Sequence, residues 1–155
     1  MRTVATAREL AGNIELVWSV MTDRTDLSWR GDLAGLQVVS SDEGDVLIET
    51  MRSGQRARFR VTREEPPMAY EQRLTGTALD RSWGFTLTAV GPDRTRVTLE
   101  ERYDFHNRLL LLLSYLYLRP RDVQKAQLKQ LAERLKCLTE ASRPTVGSNE
   151  TEEEC

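Results

Sequence analysis

Between Gly35 and Phe105 apolar and polar residues alternate with a period of two, and no other feature of the chain restricts its fold as strongly. Six segments carry the pattern: "GLQVVS", "DVLIETM", "RARFRVTR", "AYEQRLTG", "RSWGFTLTAV" and "RTRVTLEERYDF". All are rich in β-branched and aromatic residues. The breaks between them, "SDEGD", "RSGQ", "EEPP", "TALD" and "VGPDR", are turn material. Short polar breaks predict hairpins, and hairpins predict an antiparallel meander. Alternation then sorts the side chains. Ala57, Phe59 and Val61 face one way, and Arg56, Arg58 and Arg60 the other. Trp83, Phe85, Leu87 and Ala89 share a face, as do Val97, Leu99, Tyr103 and Phe105. One apolar and one wet face predict an antiparallel sheet covered on a single side.

The flanks supply the cover. Thr3 to Leu10 reads as an extended segment with Val4, Thr6 and Leu10 on one side. Asn13 is a good N-cap, and Ile14, Val17, Trp18 and Met21 follow at helical spacing to a stop near Asp23. "TDLSWRGDL" predicts a second short helix, capped by Thr25 or Ser28 and ended near Gly31. After Asn107 the helical period returns. Pro120 predicts a break or kink and suits the first turn of a new helix. Beyond it Gln124, Leu128, Leu131, Leu135 and Leu138 line one face, with Lys125, Lys129, Glu133 and Lys136 opposite. From Ser142 the chain is almost wholly polar, which predicts one domain over 1–141 and a disordered tail over 142–155.

The run "LLLLLSYLYL", Leu109 to Leu118, is closed by Arg108 and Arg119. Ten helical residues span about 15 Å against a bilayer core of about 30 Å, so the run does not cross a membrane. It reads as core, as the lid of a cavity, or as a surface for transient membrane contact. The chain start has no uninterrupted apolar stretch of the kind a signal peptide needs, since Arg8, Glu9 and Glu15 interrupt it. The two cysteines, one of them the last residue, predict no structural disulfide. A cytoplasmic protein is expected. With 22 basic against 24 acidic residues, nothing points to nucleic acid. One histidine and no clustered cysteines argue against a metal site, and no glycine-rich phosphate loop is present. No cofactor is expected.

A twisted meander of six or seven strands curls, and its concave face needs filling. The long C-terminal helix is the element available, which predicts an α+β helix-grip fold with two short helices after the first strand. Three stretches carry a family resemblance: "LAGNIELVWSVMTD" from Leu10 to Asp23, "TREEPPMAYEQRL" with its Glu-Pro-Pro corner, and "SWGFTLTAVGPDRTRVTLEERYDF". They resemble the START/Bet v 1-like (SRPBCC) superfamily, in its polyketide cyclase/dehydrase and lipid-transport branch, over roughly residues 3 to 140. Arg81-Ser82 depart from the pattern, because glycine often precedes the tryptophan there. The resemblance implies a cavity between sheet and helix that holds a hydrophobic small molecule such as a lipid, polyketide or quinone. It implies a binding or carrier domain, or alternatively a polyketide cyclase or dehydratase.

On that reading the ligand-facing residues are Trp18, Trp29, Phe59, Tyr70, Gln72, Trp83, Phe85, Leu99, Glu101 and Tyr103, with Leu112 and Tyr115 from the helix. Glu101 shares parity with Val97, Leu99 and Tyr103, so a concave face would give it an apolar setting fit for acid/base work. A bulge or strand end that turns it outward is the more ordinary reading. His106, beside Asp104, is the second catalytic candidate; more often such a residue is a cap or a solvated turn residue. No catalytic residue is otherwise identified. A monomer or weak homodimer is expected.

Overall fold

In the computed structural model, which describes residues 1–143, seven strands and three helices follow one another. β1 (Arg2–Ala11) and α1 (Ile14–Thr22) precede β2 (Leu33–Val39), β3 (Val46–Met51), β4 (Arg56–Glu65) and β5 (Ala69–Thr75). β6 (Leu79–Gly91), β7 (Arg94–Phe105), α2 (Arg108–Tyr117) and α3 (Pro120–Ala141) complete the chain. The strands form one curved antiparallel sheet in the order β1-β7-β6-β5-β4-β3-β2. It is a meander from β2 to β7, closed on its far edge by β1, and the helix-grip reading stands.

Local chemistry sets the ends of the helices. The Asn13 side chain accepts from the Leu16 amide at 2.8 Å and starts α1, as its spacing predicts. Asn107 does the same for α2 through the Leu109 amide. Pro120 opens α3 at its first turn, so the apolar run and the final helix are two helices. The core lies between the concave face and α1 and α3. Val17, Leu128, Leu131 and Leu135 meet Phe59, Phe85, Val97 and Leu99 there. The outer face is charged and carries exposed pairs such as Arg102 with Glu100 and Arg73 with Asp80.

Two expectations are corrected. The second short helix is absent; residues 24–32 form turns. The Asp23 carboxylate accepts from the amides of Thr25 and Asp26, and the Asp26 carboxylate from that of Ser28. These bonds take donors that a helix would place otherwise. Cys137 on α3 is disulfide-bonded, so cysteine usage gives no argument for a reducing compartment. The expected tail over 142–155 lies, beyond Arg143, outside the described residues. No helix among the described residues is long and apolar enough to cross a membrane.

Candidate functional site

Register brings the inward-facing residues into rows across the sheet. Val4 pairs with Glu101, Glu101 with Trp83, Trp83 with Gln72, and Gln72 with Val61. The next row runs through Thr6, Leu99, Phe85 and Tyr70. Eight of the sequence-predicted ligand-facing residues share the sheet's inner side and are buried: Phe59, Tyr70, Gln72, Trp83, Phe85, Leu99, Glu101 and Tyr103; a ninth, Trp29, is buried against Trp83 from the 24–32 segment. Tyr70 stacks on Phe85 at 5.5 Å, and Trp83 meets Trp29, Tyr70 and Phe85 at 6.0–6.4 Å. Trp18 is half-buried on α1 with its ring edge-on to Phe85. Leu112 and Tyr115 are corrected: they stand 62% and 60% exposed on the outside of α2. α2 turns only Ser114 fully inward, because a continuous apolar run contains no polar face to choose the outside.

Two polar groups interrupt this aromatic interior. In the first, the Gln72 amide donates to Glu49 at 2.8 Å and the Tyr70 hydroxyl donates to Gln72 at 3.1 Å. Arg30 forms a forked pair with Asp32, reaches Glu49 at 3.5 Å, and lies over the Trp83 ring. Burial alone would weaken the Arg30 charge, but the hydrogen bonds it donates to Asp32 and the charges of Glu49 and Asp32 outweigh it. Burial pushes Asp32 upward, yet Arg30 and the Gln127 amide hold its carboxyl below the usual range.

The second group is Arg81, Glu101 and Tyr103. Glu101, 1% exposed, accepts from Arg81 at 3.0 Å and from the Tyr103 hydroxyl. The outward-turned reading of Glu101 is thus wrong, and the inward one holds. Arg81 stands diagonal to it on β6, directly across from Tyr103. Arg81 lies over the rings of Phe59 and Tyr103. Burial works against its charge, but Glu101 leads the groups that hold it protonated. Burial also raises the Tyr70 and Tyr103 hydroxyls beyond the ordinary phenol range, so both stay neutral donors.

Four buried polar atoms have no hydrogen-bond partner among the described residues: Arg81 Nε, Trp83 Nε1, Glu101 Oε1 and Gln127 Oε1. Gln124, by contrast, is satisfied by Thr6 and the Val4 carbonyl, and pins α3 to β1. The free space is small. A cleft of about 40 Å3, bounded by Met21, Arg24, Trp29, Glu49, Tyr70 and Gln72, has room for only a few waters. The large hollow implied by the sequence is corrected, because the aromatic residues fill it.

His106 is not a partner of Asp104. It sits on the surface, with Nδ1 3.0 Å from the Thr77 carbonyl and Nε2 3.7 Å from Asp80. Among the described residues no group of three or more His, Cys, Asp or Glu could hold a metal. Sequence reasoning missed Arg30, Asp32, Glu49 and Gln127. Glu49 was readable, since it shares parity with Leu47 in "DVLIETM", and Gln127 sits three residues from Gln124 on one helix face.

The family model described as polyketide cyclase / dehydrase and lipid transport matches residues 1–138. No curated protein matches the sequence. Among solved structures the chain is similar to a point mutant of norcoclaurine synthase from Thalictrum flavum in complex with a transition-state analogue. The TM-score is 0.70 at 10% identity, over 89% of this chain and 96% of that one. The same enzyme in complex with dopamine and hydroxybenzaldehyde matches at TM-score 0.66 and 10% identity, over 93% and 89%. A START superfamily protein from Mycobacterium smegmatis matches at 0.68 and 16%, over 88% and 98%. At these identities the likeness is one of fold.

Proposed function

We propose that this chain, which belongs to the polyketide cyclase/dehydrase and lipid transport family of the START/Bet v 1-like superfamily, binds a hydrophobic small molecule between its sheet and α3 and reads that molecule's polar group with Arg81, Trp83, Glu101 and Gln127. The observation that carries this reading is the set of four buried, unpartnered polar atoms. Native interiors pair nearly all such atoms, and each orphan costs about 1–3 kcal/mol. Two of the four are donors and two are acceptors. A hydroxyl answers both kinds, and a carbonyl accepts from two donors. Hydroxylated or quinone-like aromatic molecules fit this pattern, whereas a purely hydrocarbon ligand leaves all four atoms unanswered. Their rings would meet Trp29, Phe59, Tyr70 and Phe85. The dopamine and hydroxybenzaldehyde complex of the norcoclaurine synthase is consistent with ligands of that class in this fold.

Admission of a ring requires the interior to open, and the 24–32 segment that carries Trp29 has neither helix nor strand. The cyclase or dehydratase alternative has less support. His106 is on the surface, and Glu101 is tied to Arg81 and Tyr103. The test is a titration followed by tryptophan fluorescence and thermal melting, with a dihydroxynaphthalene and a naphthoquinone as probes. Saturable quenching and a raised melting point are expected, with affinity weakened about tenfold in Trp83→Phe, the equivalent of one lost hydrogen bond of about 1.4 kcal/mol. No saturable response to either probe, together with no co-purifying small molecule in native mass spectra, would overturn the reading.

A further inference from the structure

We propose that α2 is a docking helix for an anionic lipid surface. The inference is independent of the ligand reading above. Leu109, Leu112 and Leu116, at helical spacing, are 61%, 62% and 67% exposed, and Tyr115 and Tyr117 flank them in the open. Soluble chains rarely show water so continuous an apolar stripe, and those that do use it. α2 does not need these leucines for its own folding. Asn107 caps its start, and the Arg2 side chain donates to the Ser114 and Leu118 carbonyls at its end. Only Ser114 is fully buried, with Leu111 and Leu113 half-buried.

Charge decides between occupants. The protein as a whole carries net charge -2, yet from Arg108 to Lys125 there are four basic residues, Arg108, Arg119, Arg121 and Lys125, against one acid, Asp122. All four are exposed, and they stand at both ends of the apolar stripe. A basic rim on an apolar helix with interfacial tyrosines is the chemistry of a helix lying flat in the headgroup layer. A second copy of this chain would bring the same positive rim against itself. α2 stands against β7, and Arg2, its anchor, pairs with Tyr103 in register. A docked α2 would therefore hold the Arg81–Glu101–Tyr103 end of the interior near the lipid.

The experiment is flotation of the full chain with vesicles of phosphatidylcholine alone and with about one-third phosphatidylserine, an anionic fraction that sets up the surface potential basic residues respond to. Binding to the anionic vesicles is expected, weaker on neutral ones and in high salt. Leu112→Glu/Leu116→Glu should lower the partition at least tenfold. Arg119→Glu/Arg121→Glu should abolish the anionic preference, at about fivefold per basic residue lost. All four positions are exposed, so circular dichroism should report an unchanged fold. Absence of flotation with folded wild-type protein, or equal flotation of the Leu112→Glu/Leu116→Glu variant, would overturn the proposal. So would lipid-free self-association that the same variant abolishes in sedimentation, since that would assign the surface to a protein contact.

Discussion

Removing the charge of Arg81 tests whether the interior ion pair is what it looks like. In Arg81→Met the stem still packs over Phe59 and Tyr103, but Glu101 keeps only the Tyr103 hydroxyl. Breaking a buried pair by removing one partner costs about 3–5 kcal/mol. A loss of about 3 kcal/mol is therefore expected at neutral pH, or about 6–12 °C in melting temperature for a chain of this size. Glu101→Leu should cost less, about 1–2 kcal/mol, because Arg81 is 28% exposed and can turn its charge to water while Glu101 cannot. The double variant Arg81→Met/Glu101→Leu should return close to wild-type stability, as replaced buried pairs commonly do. Urea denaturation at pH 7 reads all three. A cost below about 0.5 kcal/mol for Arg81→Met at pH 7, the level of an ordinary surface substitution, would refute the reasoning.

Three further outcomes are expected. Acid should destabilise the fold as pH drops below about 4, because Asp32, Asp23 and Asp26 are held below the ordinary carboxylate range by Arg30, Thr25 and Ser28 respectively, and the unfolded chain takes up protons first; urea midpoints measured through that window check it, and Asp32→Asn should flatten the slope. Gly84→Ala should cost about 2 kcal/mol or more in the same assay, since its methyl would stand 2.4 Å from the Tyr70 carbonyl oxygen on the neighbouring strand and backbone must shift to admit it. Leu131→Ala, at a fully buried position, should cost about 2–5 kcal/mol, while Leu112→Ala, at an exposed one, should stay within about 0.5; equal losses would contradict the orientation of α2.

What was legible in the chain was whatever depends on period. The β4 alternation placed Phe59 inside and Arg56 and Arg58 outside, and the spacing of Leu128, Leu131 and Leu135 placed α3 on the sheet. Capping was legible at Asn13 because its donor lies three residues away. The partners of Glu101 were not, although parity alone turns Arg81 to the same side as Trp83. Which β6 residue stands diagonal to Glu101 depends on strand register, and register is fixed by the turns and bulges together rather than by one segment. The 24–32 segment misled for a different reason. Its Asp, Thr and Ser residues suit helix caps and tight turns equally, and the competition is decided by the Asp23 and Asp26 carboxylates. The leucine run gave no direction at all, since a segment apolar on every side has no preferred face.

That same 24–32 segment reconciles a filled interior with the proposed binding role. Trp29 occupies space that a ring-sized ligand would need, so on the proposed reading binding first displaces it, and the fraction of molecules in the open form would scale the apparent affinity. Local bonds around Asp23 and Asp26 hold the segment in shape, and the Arg134 guanidinium ties it to α3 through Asp26 at 2.6 Å. Arg134 and Asp26 are partly exposed, so this tie contributes only about 0.2–1 kcal/mol. Arg134→Ala should therefore change stability little and tighten probe binding by up to about fivefold, with the gain appearing in the association rate because the open form becomes commoner. Arg30 pulls the other way. Its forked pair with Asp32 and its contact with Glu49 lie inside, so cutting them would disturb the site itself rather than its door. Stopped-flow tryptophan quenching separates the two. Unchanged association in Arg134→Ala, with affinity also unchanged, would mean that entry does not pass through this segment, and the opening would then have to be sought beneath α2.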